Sequence, residues 1–206
     1  MLSPSTWSLP ALSLGGWHAL VGRMTDALAE YHAQYRLRPG LGREELKSRL
    51  QGREKWSGKL FNELSARAIA EGLIEEAGEY LRQPGFEISF AAEQQAKVDA
   101  LLAAFRRQPY TPPSMAEAIV QTDADIVSAL VYRGTLTRLS EDVLFEAKVY
   151  DEMAARIVAH IKERGSMTVA QVRDTFNTSR KYALAIMEYL DEKKITRRVG
   201  DERVLR

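Results

Sequence analysis

Residues 178–205, TSRKYALAIMEYLDEKKITRRVGDERVL, join a helical pattern to two short strand-like segments. Apolar residues follow a helical period up to about Asp191, and the stretch from Ile195 to Val199 follows as a short strand. Gly200-Asp201 is a hairpin-turn signal, after which the chain returns along a second strand. A helix followed by a two-stranded hairpin is therefore predicted at the end of the chain.

The same order occurs three times along the 206 residues. Ile74, Leu136 and Ile195 open the first strand of each hairpin, and they are 62 and 59 residues apart. The second strands are predicted at Phe86–Phe90, Val143–Phe145 and Arg203–Leu205. A period near 60 residues is too long for most solenoid repeats and indicates small tandem domains instead.

Three helices are predicted before each hairpin. The expected ranges are 17–36, 42–50 and 56–72, then 92–107, 113–120 and 123–133, then 147–164, 168–175 and a last helix ending near 191. Asp123 and Thr168 are the expected N-caps of two of them. Three helices and a two-stranded wing make a winged helix, a variant of the helix-turn-helix. The predicted fold class is mostly α with small β-wings, an elongated array of tandem winged-helix domains.

The predicted domains are 17–90, 91–146 and 147–206. Residues 1–16 fit none of them, and we expect this segment to be the end of a preceding module or the edge of the first domain. Whether the chain is itself a fragment of something longer stays open at this point.

Charge separates the last domain from the rest. Residues 1–146 carry a net charge of −3 and residues 147–206 one of +4, against +1 for the whole chain. A basic C-terminal domain on an acidic remainder indicates a local anionic partner, with chance surface charge as the alternative. The absence of cysteine excludes thiolate metal sites and a cysteine nucleophile, and three scattered histidines make a metal site unexpected. No metal, cofactor or catalytic residue is predicted.

The candidate nucleic-acid site combines the start of the last helix with the wing. A helix N-terminus attracts phosphate, and this one carries hydroxyl groups and cations. The wing adds arginines, whose planar guanidinium can contact a phosphate bidentately or stack on an unpaired base. Consecutive strand residues face opposite ways, so we expect one of Arg197 and Arg198 to face the helix. The predicted RNA-binding residues are Arg173, Thr178, Ser179, Arg180, Lys181, Arg197, Arg198 and Arg203.

A helical wheel places Ala183, Ile186, Met187 and Leu190 on the core face of the last helix. It places Lys181, Ala185 and Glu188 on the opposite face, where the small Ala185 would allow close approach of RNA. Tyr182 and Tyr189 are interpreted as packing at the edge of the core rather than as platforms for bases.

The stretch from Thr178 to Asp191 followed by Ile195-Thr196-Arg197-Arg198-Val199-Gly200-Asp201 resembles the final winged helix of the SelB family, the bacterial selenocysteine-specific elongation factors. Leu37-Arg38-Pro39-Gly40 before Arg43-Glu44-Glu45-Leu46 resembles the second winged helix of that family more loosely. The resemblance implies binding of the SECIS hairpin of selenoprotein messenger RNA for selenocysteine incorporation at UGA. SECIS-type hairpins present bulged bases that a planar arginine can hold.

The GTPase half of the family has no counterpart here, because the sequence lacks a Gly-x-x-x-x-Gly-Lys-Ser/Thr segment. We therefore expect an RNA-binding protein segment that is not an enzyme and does not bind GTP. We also expect it to be cytoplasmic and monomeric, with no membrane contact. Contact with the ribosome is left open, and selenocysteyl-tRNA would be reached only through the missing part. The alternative is a DNA-binding transcriptional regulator with tandem winged helices. In a third interpretation the two acidic domains are spacers or protein-docking modules.

Overall fold

The computed structural model describes residues 13–51 and 56–206. They divide into two compact units, one that extends to Ser89 (the first unit) and one from Phe90 to Arg206 (the second unit). Of residues 1–16, which were predicted as a separate N-terminal segment, residues 1–12 lie outside the described residues. Ser13 caps the first helix by accepting a hydrogen bond from the Gly16 backbone N–H, so that helix begins before residue 17, where the first domain was predicted to start.

The first unit contains three helices and a three-stranded antiparallel sheet among its described residues. In chain order these are α1 (Leu14–Gln34), β1 (Leu41–Gly42), α2 (Arg43–Leu50), α3 (Gly58–Ala70), β2 (Glu75–Ala77) and β3 (Tyr80–Arg82). The strand order is β1-β3-β2. The short β1 was not predicted, and it pairs antiparallel with β3. The residue before it, Gly40, passes so close to β3 that a Cβ atom there would lie 2.3 Å from the Leu81 backbone oxygen.

The predicted second strand of the first wing, Phe86–Phe90, is wrong. Gly78, at a φ of +64°, allows a tight turn directly after β2, so Tyr80–Arg82 supplies the returning strand. Phe86 instead stacks on His32 of α1, with ring centroids 3.5 Å apart. The first apolar residue of the segment that indicated a strand therefore packs against a helix.

The second unit contains two winged helices in sequence. Its elements are α4 (Ala92–Arg107), α5 (Met115–Gln121), α6 (Ala124–Tyr132), β4 (Leu136–Arg138), β5 (Leu144–Glu146), α7 (Ala147–Arg164), β6 (Met167–Thr168), α8 (Val169–Phe176), α9 (Arg180–Glu192), β7 (Thr196–Val199) and β8 (Glu202–Leu205). Both predicted N-caps are confirmed: Asp123 accepts from the Ile126 N–H and Thr168 from the Gln171 N–H. The fold-class prediction of tandem winged helices, mostly helical with small sheets, is confirmed.

The two winged helices of the second unit share buried residues. We call residues 91–146 the middle winged helix and residues 147–206 the last winged helix. β5 runs into α7 without a linker, at the predicted boundary of 146 and 147. Leu139, Val143 and Phe145 from the middle wing belong to the same buried cluster as Ile157 and Ile186 of the last winged helix. The middle wing thus packs into the core of its neighbour.

Candidate nucleic-acid interface

A groove runs between α9, the wing formed by β7 and β8, and the start of α8. Arg180 contributes from the first turn of α9 and Arg198 from the wing. The residues lining the groove are Thr168, Val169, Ala170, Arg180, Leu184, Glu188, Arg198, Asp201 and Arg203. Arg180, Leu184 and Glu188 are spaced four residues apart, so one edge of α9 faces the groove. The groove therefore combines two exposed arginines with aliphatic surface and two carboxylates.

Strand register decides which wing arginine faces α9. Arg198 lies opposite Arg203 and Arg197 opposite Val204, so the two arginines project from opposite faces of the wing. Arg198 lines the groove, where its Nε donates to the Gly200 backbone oxygen at 2.7 Å. One Nη lies 3.7 Å from an oxygen of Asp201, and 63 % of the side chain is exposed. Arg197 is exposed on the outer face.

The start of α9 is divided between the surface and the protein interior. Ser179 and Arg180 are exposed, and no side chain caps the first turn. Thr178 is buried, and its hydroxyl donates a hydrogen bond to the Tyr110 backbone oxygen. The sequence interpretation had grouped Thr178 with the exposed polar residues, but the connection between α4 and α5 covers it.

Lys181 pairs with the middle wing. Its ammonium donates a hydrogen bond to an Asp142 carboxylate oxygen, and this bond raises the pKa of the lysine. About half of each side chain is exposed. The Tyr182 hydroxyl next to it donates to the Pro112 backbone oxygen at 2.6 Å, and its ring meets Phe145 edge-on. This face of α9 therefore contacts the middle winged helix.

The placement of Ala185 on an open face of the last helix is wrong. Ala185 is buried and belongs to the cluster that also holds Leu139 and Val143. The helical wheel assigned Ala185 to solvent because a wheel considers one helix and cannot include residues of a neighbouring module. Tyr182 and Tyr189 pack against the same cluster, as predicted, and Tyr189 meets Tyr150 edge-on at 5.3 Å.

The two remaining predicted residues differ in exposure. Arg203 is 4 % exposed, and its Nε donates to Asp191 Oδ2 at 3.0 Å. Arg173 is exposed in the last turn of α8, where it pairs with Asp174 at 2.7 Å and does not line the groove. Sequence reasoning did not name Leu184 or Asp201 as groove residues; the four-residue spacing from Arg180 was the available signal for Leu184.

Within residues 13–51 and 56–206, no group of three or more histidine, aspartate or glutamate side chains is arranged to hold a metal ion. In the same ranges no helix has the length and apolar character needed to cross a membrane. The fold and the groove define the class of the protein as a tandem winged-helix protein with an arginine-lined groove in its last module.

Models of known protein families match the first and the last winged helix of this chain. The model of the third winged helix of elongation factor SelB matches residues 159–205, and the model of the second matches residues 25–82. Together the matches cover 105 of the 206 residues. The chain belongs to the SelB family. The resemblance seen in the sequence is thereby confirmed.

Similar proteins extend over nearly the whole chain. The selenocysteine-specific elongation factor of Desulfomicrobium baculatum is 29% identical over 91% of this chain, and that of Escherichia coli (strain K12) is 29% identical over 89%. The chain spans 30% of the length of each of these relatives.

Two solved structures are also similar. The mRNA-binding domain of elongation factor SelB from E. coli in complex with SECIS RNA matches 57% of this chain and 99% of its own, with 27% identity and a TM-score of 0.47. A bacterial selenocysteine-specific elongation factor, EF-Sec, matches 94% of this chain and 30% of its own, with 16% identity and a TM-score of 0.51. The second likeness concerns the fold alone.

Proposed function

We propose that this chain is the messenger-RNA-binding part of a selenocysteine-specific translation elongation factor. In this proposal it binds the SECIS hairpin of selenoprotein mRNA and thereby supports selenocysteine incorporation at UGA. Membership of the SelB family and the names of the relatives support the class of function. The basic last winged helix supports RNA as the ligand, because phosphate contacts dominate the affinity of nucleic-acid binding.

The observation that carries the proposal is that Arg180 and Arg198 line one groove although they come from different elements. Arg180, at the positive end of the α9 dipole, is suited to a phosphate. Arg198, on the wing, offers a planar fork that can hydrogen-bond a base edge, while the aliphatic surface of Leu184 suits an unstacked base. RNA recognition targets such splayed bases, and a bulged hairpin supplies them.

The predicted RNA-binding residues then have different roles. Arg180 and Ser179 contact phosphate, Arg198 holds an extruded base, and Arg197 contacts the backbone from the outer face of the wing. Thr178 supports the start of α9 from inside the unit. Lys181 and Arg173 contribute charge beside their carboxylate partners, which reduces what each adds to binding.

DNA reading is disfavoured by the surroundings of α9. A DNA-binding winged helix inserts a polar face of this helix into the major groove. Here the face with Ala185 is buried, and the open edge ends in Glu188, whose carboxylate repels phosphate. A short open edge suits a bulge at the helix start better than a duplex along the helix length.

The proposal includes the remaining expectations for this chain. It acts without GTP hydrolysis and without a cofactor, as a cytoplasmic monomer, and it meets the ribosome while bound to mRNA. The first unit and the middle winged helix serve as spacers or protein-docking modules. Isothermal calorimetry with GTP tests the enzymatic part, and micromolar affinity would contradict it.

The direct test is a salt titration of RNA binding. The whole chain is titrated with a bulged SECIS hairpin, the same hairpin without its bulge, and duplex DNA of equal length. We expect the tightest binding to the bulged hairpin at every salt concentration, with affinity falling as salt rises. Equal affinity for the three ligands would mean that the groove binds nucleic acids only through their charge. Preference for duplex DNA would favour a DNA-binding transcriptional regulator instead.

A further inference from the structure

Arg203 lies at the centre of the last wing. Its strand, β8, is the middle strand of the order β6-β8-β7. The residue lies opposite Met167 on one side and Arg198 on the other. Although it borders the groove, only 4 % of Arg203 is exposed. A guanidinium this enclosed requires a partner, because a buried charge without one is strongly destabilising.

Asp191, in the last turn of α9, is that partner. Its Oδ2 accepts from Arg203 Nε at 3.0 Å, and its Oδ1 accepts from Thr196 Oγ1 at 2.6 Å. The carboxylate therefore holds both strands of the wing, one through each oxygen. The negative end of the helix dipole lies at this end of α9, so a carboxylate is disfavoured there unless other groups compensate it. The two hydrogen bonds from the wing provide that compensation.

The same contact affects the groove arginine. Arg198 and Arg203 are directly opposite on one face of the wing, and like charges in that arrangement repel each other. Asp191 compensates the charge of Arg203. Arg198 is then held by its own bond to the Gly200 oxygen.

We propose that Asp191 is a positioning residue, which through Arg203 and Thr196 fixes the wing against α9 and so sets the place of Arg198 in the groove. The inference rests on the proposed function in one respect, that the groove binds RNA. Arg203 is in this view part of the support of the site, whereas the sequence had grouped it with the RNA ligands.

The two roles of Arg203 predict opposite effects of changing Asp191. If Arg203 is a phosphate ligand, Asp191→Asn removes a competing negative charge, and binding tightens. If Asp191 positions the wing, the same substitution weakens binding although the protein becomes more positive. Glu192→Gln is the matched control, since it removes an exposed carboxylate at the next position of the same helix turn, does not line the groove, and makes no contact with Arg203 or Thr196 among those the structure records.

The first experiment measures binding of the bulged hairpin by the whole chain and these two variants. It is run at a temperature where thermal melting shows all three to be fully folded, so that lost stability does not reduce affinity. We expect Glu192→Gln to bind as tightly as the parent or more tightly, and Asp191→Asn to bind about tenfold or more weakly. Asp191→Asn binding as tightly as Glu192→Gln would overturn the inference.

A second measurement does not depend on RNA. Backbone order parameters from nitrogen-15 relaxation are compared for residues 197–204 in the parent, Asp191→Asn and Thr196→Val, which removes one bond without changing charge. We expect wing values to fall from about 0.85 toward 0.6 while those of α8 and α9 are unchanged. An equally ordered wing in both variants refutes the positioning role. If the parent fails to prefer the bulged hairpin, the proposed function fails, and the relaxation data still decide whether Asp191 fixes the wing.

Discussion

Arg198→Lys tests how the proposed site reads RNA. Lysine keeps the positive charge but lacks the planar fork, so contacts with phosphate persist while bidentate contact with a base is lost. The side chain is 63 % exposed and its Nε is held by the Gly200 oxygen, so a base would contact the Nη groups, one of which it would share with Asp201 at 3.7 Å. A bidentate contact with a base contributes about 1–3 kcal/mol of discrimination, which is roughly a 5- to 150-fold change in Kd.

Arg197→Lys is the control within the same wing. It makes the same chemical change one residue away, on the outer face that does not line the groove. Each variant and the parent are titrated with the bulged hairpin and its bulge-deleted form, by fluorescence anisotropy at one salt concentration. We expect Arg198→Lys to reduce the preference for the bulged hairpin by the factor above, and Arg197→Lys to leave it nearly unchanged.

The stability of both variants should change by less than about 0.5 kcal/mol, because both side chains are on the surface. Urea unfolding checks this before binding is compared. Unchanged discrimination in both variants would mean that the wing arginines only hold phosphates. A larger loss in Arg197→Lys would assign base reading to the outer face and refute the role of the groove.

Three further outcomes can be measured. Arg180→Ala should lower the slope of log K against log salt by about 0.7–0.9, one phosphate contact, whereas Lys181→Ala should lower it less, because Asp142 already compensates the lysine. Phe145→Ala should reduce the free energy of unfolding of residues 90–206 by about 3–5 kcal/mol in urea, since the ring is fully buried between two modules; a loss below 1 kcal/mol would contradict the shared core. Burial, with the nearby Arg82 charge, lowers the pKa of His32 to about 4, so the unfolded chain takes up a proton first as the pH falls below 6.5. Stability should therefore fall by up to about 3 kcal/mol between pH 6.5 and 4, and a parallel pH profile in His32→Phe would rule out this histidine as the cause.

The order of the modules was predictable because local signals define it. Asp123 and Thr168 are N-caps in the sequence and in the structure, since a cap depends only on the residue and the next three positions. Gly200 at positive φ likewise defines the turn of the last wing. The motif from Ser179 to Asp201 was sufficient to indicate the family.

Local signals failed where two patterns competed for one segment. The run from Phe86 to Phe90 has the composition of a strand, but Gly78 closes the hairpin earlier. Phe86 was then free to pack on α1, where it stacks on His32. A pattern can indicate that a segment is buried without indicating what it is buried against.

The sequence by itself determined three winged-helix patterns, the basic last module and the two elements that carry its arginines. Tertiary structure alone decided which of those side chains are open to a ligand. Thr178 and Lys181 meet Tyr110 and Asp142, which lie 68 and 39 residues away along the chain. Helical and strand periods describe neighbours within one element, so they carry no information about contacts at such separations. The choice between Arg197 and Arg198 likewise depended on which face of the wing packs against α9, since the strand period shows only that the two side chains point opposite ways.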